Sequence, residues 1–202
     1  MEACAGGHMG VVKLLIGNGA KLNSRDFHCR TALMYASKNG HHEIVRVLIQ
    51  NGAELDLQDG GLGDTALMMA SERGFSETVR VLIDAGAKLD LCDGKPLGGA
   101  FWRAVWNGHA DAVRLLIDKG ANVNAAAKHG FTALIEAVRR GHVGVVRVLI
   151  DRGACLHSMN HSIEWNSNDN MGDSVPARTA LEWAKKGNET EIVLLLQNAG
   201  AQ

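Results

Sequence analysis

One segment keeps returning along this chain. TALMYASKNGHHEIVRVLIQNGAELD, beginning at Thr31, comes back as TALMMASERGFSETVRVLIDAGAKLD from Thr65 and as GAFWRAVWNGHADAVRLLIDKGANVN from Gly99. It returns again as TALIEAVRRGHVGVVRVLIDRGACLH from Thr132 and as TALEWAKKGNETEIVLLLQNAGAQ from Thr179. A copy lacking its head, ACAGGHMGVVKLLIGNGAKLN, starts at Ala3. The glycines Gly7, Gly40, Gly74, Gly108 and Gly141 follow one another at intervals of 33, 34, 34 and 33 residues. Units this short cannot bury an apolar face alone, so the period predicts a one-dimensional stack in which each unit leans on its neighbours.

Each unit parses into two short helices. Thr31, Thr65, Thr132 and Thr179 precede an apolar run, where a hydroxyl can cap the first free N–H groups. The first helix is rich in small residues, such as Ala32 and Ala36 or Ala66 and Ala70, which lets neighbouring helices approach closely. A turn glycine such as Gly40 ends it. The second helix carries a core stripe, Ile44, Val45, Leu48 and Ile49 in one copy. It stops at Gly52, Gly86, Gly120, Gly153 and Gly200, each followed by alanine. The polar, turn-rich stretch before the next threonine suits a hairpin-like connection.

Period, T-x-L opening, G-H turn, V-x-x-L-I helix and G-A ending recur together, and in this the chain resembles the ankyrin repeat family. The resemblance covers nearly the whole chain and implies an all-α solenoid of paired antiparallel helices with β-hairpin-like connecting loops. It departs from the family where a proline usually follows the threonine, since Ala32, Ala66, Ala133 and Ala180 stand there. Alanine is the best helix former, so the change costs little. The expected organisation is one ankyrin domain over 1–202. It comprises a partial repeat at 1–26, full repeats at 27–59, 60–93, 94–126 and 127–160, and a final repeat at 161–202. An insertion occupies about 161–176 of the last, because Gly141 and the equivalent Asn188 lie 47 residues apart.

The recurring polar residues are read as scaffold. His8, His41, His109 and His142 share the slot after the turn glycine, and a residue repeated at every step does a structural job rather than converging on one metal. Lys13, Arg46, Arg80, Arg114 and Arg147 form a basic column. Glu43, Glu77 and Asp111 stand three residues before an arginine, and Asp84, Asp118 and Asp151 four after one, so helix-surface ion pairs neutralise it. With 21 basic and 22 acidic side chains the chain has a formal charge of −1. That argues against a nucleic-acid partner. Neither a membrane-spanning apolar run nor a secretory signal is visible. Cys4, Cys29, Cys92 and Cys155 are scattered singly, which favours a reducing compartment, cytoplasmic or nuclear. No motif of a catalytic, cofactor or metal site is present, so the chain is read as a non-enzyme without cofactor. A lesser reading gives Cys155, His157 and His161 to a metal or ligand.

The family resemblance implies that hairpin tips and the exposed side of the first helix form a concave groove for a protein or peptide partner. Carried over to this sequence, that face comprises Phe27, Arg30, Tyr35, Lys38 and Asn39, then Met69, Glu72 and Arg73. It continues with Arg103, Trp106 and Asn107, then Phe131, Glu136, Arg139 and Arg140, and ends with Trp183. The same mapping also selects His28, Leu62, Asp64, Lys95, His129, Arg178 and Lys186 for this face. Trp106 stands where other copies keep Lys38, Glu72, Arg139 and Lys186, so its slot faces solvent. It is either an anchor for a partner, of the Trp/Tyr/Arg kind, or it folds over its own hairpin, where Gly98 and Gly99 leave room. Trp102, whose counterparts are Met34, Met68 and Ile135, is read as packing. The groove is expected to be mixed in charge and slightly basic towards its C-terminal half.

The resemblance also places Asn23 and Asn124 where asparagine hydroxylation occurs in some eukaryotic ankyrin proteins. Ile163 and Trp165 are the large apolar groups of the insertion, which is expected to be an enlarged hairpin loop. Leu194, in place of the basic column, gives the last helix an apolar outer face that points to a further segment or to self-association. The alternative functional reading is a regulatory or targeting segment of a larger effector or enzyme whose activity lies outside this chain.

Overall fold

Thr31, Thr65, Thr132 and Thr179 each accept a hydrogen bond at the start of a helix, from the N–H of Met34, Met68, Ile135 and Glu182 at 3.3–3.4 Å. At Thr179 the bond is reciprocated, its own N–H donating to Glu182 Oε2 at 2.7 Å, which closes a capping box. The sequence periodicity is thereby fixed in space. The structure, a computed structural model, describes residues 1–91, 99–161 and 176–201, with the side chain of Lys128 excepted.

Twelve helices follow in pairs among the described residues: α1 (Glu2–Ala5) with α2 (Met9–Gly17), α3 (Ala32–Lys38) with α4 (His42–Gln50), and α5 (Ala66–Arg73) with α6 (Ser76–Asp84). Next are α7 (Ala100–Trp106) with α8 (Ala110–Asp118), α9 (Ala133–Arg139) with α10 (Val143–Asp151), and α11 (Ala180–Lys186) with α12 (Thr190–Asn198). Their contacts group the chain into two compact units, Met1–Ala121 and Asn122–Gln202.

In the N-terminal unit the first helices stack in the order α1, α3, α5, α7, and the second helices form a parallel layer in the order α2, α4, α6, α8. The C-terminal unit repeats this arrangement with α9 on α11 and α10 on α12. The small-residue reading of the first helix is explained by burial: Ala36, Ala70, Ala104, Ala137 and Ala184 are all fully buried. A larger side chain there would pry neighbouring helices apart. Leu48, Leu82 and Leu116 on the second helices, with Leu149 in the C-terminal unit, fill the space between layers. Each contributes on the order of 2 kcal/mol by burial.

Turn geometry accounts for the glycines. Gly74 has φ +73°, and a Cβ there would come within 2.3 Å of the His109 ring, so both backbone and packing demand glycine. Asn188, in the equivalent position of the last copy, holds φ +56°, a conformation asparagine tolerates better than most residues.

The histidine column has a job in both repeats where its bond is defined. Nε2–H of His41 donates to Ala5 O at 3.0 Å and that of His109 to Glu72 O at 2.9 Å. The acceptor belongs to the preceding repeat, so the ring ties neighbours together rather than its own turn. Asn23 and Asn124 act similarly, their Oδ1 accepting the N–H of Glu54 and of Cys155. Three members of the basic column pair three residues back, Arg46 with Glu43, Arg80 with Glu77 and Arg114 with Asp111, while Arg147 turns to Glu191 of the next repeat. Asp84 turns instead to Lys119 of the next repeat, at 2.9 Å.

The hairpins share one closing bond. The N–H of Asp26, Asp59, Ala127 and Asn160 donates to the carbonyl of Arg30, Asp64, Phe131 and Arg178. Asn160 and Arg178 are 18 residues apart in sequence, so the insertion departs from and returns to a closed hairpin base; positions 162–175, with Ile163 and Trp165, lie outside the described residues.

Candidate functional site

In the N-terminal unit the hairpin tips and first helices build a recess of about 200 Å³. Arg30, Lys38, Leu62, Asp64, Glu72, Arg73 and Arg103 line it together with the buried Met69. A second recess of about 330 Å³ continues past Glu72 and Arg103 to Trp102, Trp106 and Asn107. Trp102 is 7% exposed and packs edge-on against Phe101. Trp106 is 39% exposed. The competing arrangement, in which Trp106 covers its own hairpin, involves positions 92–98, Lys95 among them, which lie outside the described residues.

Two arginines of these recesses are held by carboxylates. Arg103 donates to Glu72 at 2.7 Å and to Asp64 by a short bond. Arg30 reaches Asp59 at 3.4 Å, and the Tyr35 hydroxyl donates to Asp26 at 2.6 Å. This last bond, with the N–H groups of Arg30 and His28, holds the Asp26 carboxyl below its ordinary range and pushes the Tyr35 phenol up. Burial works to raise Asp59, but the N–H groups of Asp64 and Gly61 with Arg30 more than offset it and leave it lowered. Asn39 and Asn107 spend their amides on the carbonyls of Tyr35 and Arg103, one turn back. Phe27 stands at a hairpin tip, 97% exposed and edge-on to His28.

The C-terminal unit arranges the same slots differently. Glu136 is buried and accepts from Arg139 at 3.1 Å and Arg140 at 2.8 Å. The Arg139 guanidinium lies 4.8 Å from the centre of the Phe131 ring and 4.9 Å from that of Trp183. Arg178 and Lys186 also lie over the Trp183 ring, at 5.0 and 5.4 Å. The indole N–H donates to Asn160 Oδ1 at 2.9 Å. Buried Asn160 also accepts from Arg178 N–H and donates to the carbonyls of His161 and Pro176. Arg178 Nη1 is buried with no hydrogen-bond partner among the described residues.

Two of the expected contact residues lie beneath the surface. Met69 and Glu136 are buried and support the face from beneath, because the first helix turns these positions toward its neighbours. Arg103 is exposed over only 20% of its side chain and is engaged by carboxylates. Asp26, Asp59 and Asn160 organise the hairpins without having been singled out by sequence reasoning; their common place at the hairpin base was the available signal. Among the described residues no three His, Cys, Asp or Glu side chains could hold a metal ion. Among the same residues no helix is long and apolar enough to cross a membrane.

Stacked helix pairs, capped by threonine and joined through hairpins, define a helical-repeat scaffold whose first-helix side carries the variable residues. The family profile for ankyrin repeats (3 copies) matches residues 1–93 and 98–160, and the chain belongs to the ankyrin repeat family. Ankyrin repeats are protein–protein interaction modules. No curated protein matches the chain. Among solved structures, the chain resembles the human ASB11 ankyrin repeat domain at 25% identity and a TM-score of 0.81, covering 100% of this chain and 83% of that one. An ankyrin repeat domain from Acinetobacter baumannii AYE is similar at 28% identity and a TM-score of 0.78, over 100% and 97% of the two chains. The complex of the Bd0816 predatory endopeptidase of Bdellovibrio bacteriovorus with immunity protein Bd3460 contains a chain similar at 28% identity and a TM-score of 0.75, over 98% and 95%.

Proposed function

We propose that this chain is a non-catalytic binding module that takes a protein or peptide partner on the hairpin-tip and first-helix side of its repeats. The observation that carries the reading is where large apolar side chains are left outside in the internal repeats. Phe27, Leu62, Trp106 and Met159 are 97, 51, 39 and 49% exposed, and all four belong to hairpins or to a first helix, whereas Phe75, 37% exposed, sits in the turn between α5 and α6. Such groups exposed beside arginines are the usual anchors of a protein interface. The binding residues proposed are Phe27, Lys38, Arg73 and Trp106 in the N-terminal unit, with Phe131, Arg139, Arg140 and Trp183 in the C-terminal unit. The other expected residues position them. The similar chain from Bdellovibrio bacteriovorus belongs to a complex of two proteins, which agrees with a binding role for the fold.

The test is affinity capture from a lysate of the source organism, quantified by mass spectrometry. Wild type is compared with Trp106→Ala/Arg73→Glu and with Arg80→Glu/Arg114→Glu on the second helices. Loss of specific captured proteins in the first variant and retention in the second supports the assignment. Equal capture by wild type and the first variant sinks it.

A further inference from the structure

We infer that the C-terminal unit recognises an acidic segment of the partner, a stretch carrying adjacent Asp or Glu side chains, through the cations gathered on Trp183. The inference rests on the binding role proposed above and adds the chemistry of the partner.

Arg139 and Arg140 share the buried carboxylate of Glu136, and Arg178 and Lys186 join Arg139 over the Trp183 ring. Glu182 lies nearby, but its carboxylate closes the cap at Thr179, and Lys185 acts on it besides Arg178. Three of the cations lie within 5.4 Å of one ring centre. They are thus held at separations comparable with the screening length of about 8 Å at physiological salt, where like charges repel appreciably. The ring quadrupole attracts each of them, yet it neutralises none. Arg178 Nη1 is a buried donor without a partner among the described residues. Carboxylates arriving from outside would relieve the repulsion and accept the unused guanidinium N–H groups in charge-assisted bonds. In the N-terminal unit Arg103 and Arg30 are answered by Asp64, Glu72 and Asp59.

A single-stranded nucleic acid is the less fitting polyanion. Its bases need a free aromatic face on which to stack, and cationic groups already lie over the rings of Trp183 and Phe131. It also needs a basic track, whereas the cations of the second helices are paired.

The probe is a fluorescein-labelled decapeptide of alternating Asp and Glu, titrated into the full chain by fluorescence anisotropy. A Lys decapeptide and the oligonucleotide dT10 serve as comparisons. The acidic peptide should bind, more weakly as salt rises. Arg178→Gln and Lys186→Gln should each weaken it about tenfold, the worth of one charge-assisted contact, while Arg80→Gln and Arg114→Gln leave it unchanged. The indole N–H resonance of Trp183, assigned with Trp183→Phe, should shift on titration. Thermal unfolding of the Gln variants establishes that they remain folded. No binding of the acidic peptide, equal or tighter binding of dT10, or equal losses in the Arg80 and Arg114 variants would overturn the proposal. Absence of acidic-peptide binding together with Trp106-dependent capture from the lysate would leave the binding role standing and remove only its acidic partner.

Discussion

The same slots of the repeat serve two different electrostatic arrangements in the two units. Around α5 and α7 an arginine from the first helix, Arg103, is clasped by Asp64 and Glu72, and the Arg30 side chain in the preceding hairpin reaches Asp59. Around α9 and α11 Glu136 is buried, Glu182 closes the helix cap, and arginines and a lysine collect over aromatic rings instead. The backbone is alike in both, down to the hairpin bond that closes each base. What differs is the setting of these cations: Arg103 and Arg30 clasped by carboxylates in one unit, Arg139, Arg178 and Lys186 gathered over an aromatic ring in the other. A repeat scaffold can therefore hold its packing constant while resetting the chemistry of its exposed side repeat by repeat.

The comparison can be broken most forcefully through the core. Leu82→Ala and Leu149→Ala each empty a fully buried site and should cost about 3 kcal/mol. Hydrogen exchange should show protection falling chiefly in α5, α6 and their stacked neighbours for the first, and in α9 to α12 for the second. A uniform loss in both variants would deny that the two units are separate cooperative bodies.

Next in size comes the acid beneath each face. Glu136→Ala leaves two arginines without their shared carboxylate and should lower stability by about 2 kcal/mol in urea denaturation. Glu72→Ala should cost about 1 kcal/mol or less, because the Glu72 side chain is 40% exposed and Asp64 continues to hold Arg103. Equal costs would mean that burial does not distinguish the two acids.

Much of this is legible in the sequence, and the boundary of legibility is physical. The threonine caps, the buried alanine of the first helix and the left-handed Asn188 follow from local rules that every copy obeys. The fate of long side chains does not. Arg30 finds Asp59 29 residues away, and Arg103 finds Asp64 39 residues away. An aligned column reveals that a position varies without revealing which neighbour will claim it. Met69 and Glu136 depart from expectation for that reason, since a variable position on a short helix can still point inward. Asp26, Asp59 and Asn160 share one register in the repeat, but a column of short polar residues in a turn does not reveal that they close the hairpin base.

Acid should weaken the N-terminal network more gently. The folded chain holds Asp59 below its ordinary value, so its contribution is complete above about pH 4 and is lost as pH falls through the lower, folded value. Asp59→Asn should flatten this acid limb in urea titrations from about pH 7 to about pH 2. An unchanged limb would remove Asp59 from the account.

The smallest effect distinguishes two thiols without disturbing the fold. Cys155 is exposed, and the Ser158 side chain, with the N–H of His157, holds its thiol below the usual value, whereas burial pushes that of Cys4 up. At about pH 8 iodoacetamide should modify Cys155 before Cys4, as peptide mass spectrometry can follow. The reverse order would contradict the burial assigned to Cys4.

Site-specific photo-crosslinking addresses the division between scaffold and binding side most directly. A benzophenone amino acid is placed at Lys38, Arg73 or Lys186 on first helices, and at Arg80, Arg114 or Arg147 on second helices. Illumination in a lysate of the source organism should yield discrete protein adducts from the first three positions and none above background from the others. Adducts arising chiefly from Arg80, Arg114 and Arg147 would place the partner on the opposite layer and contradict the account.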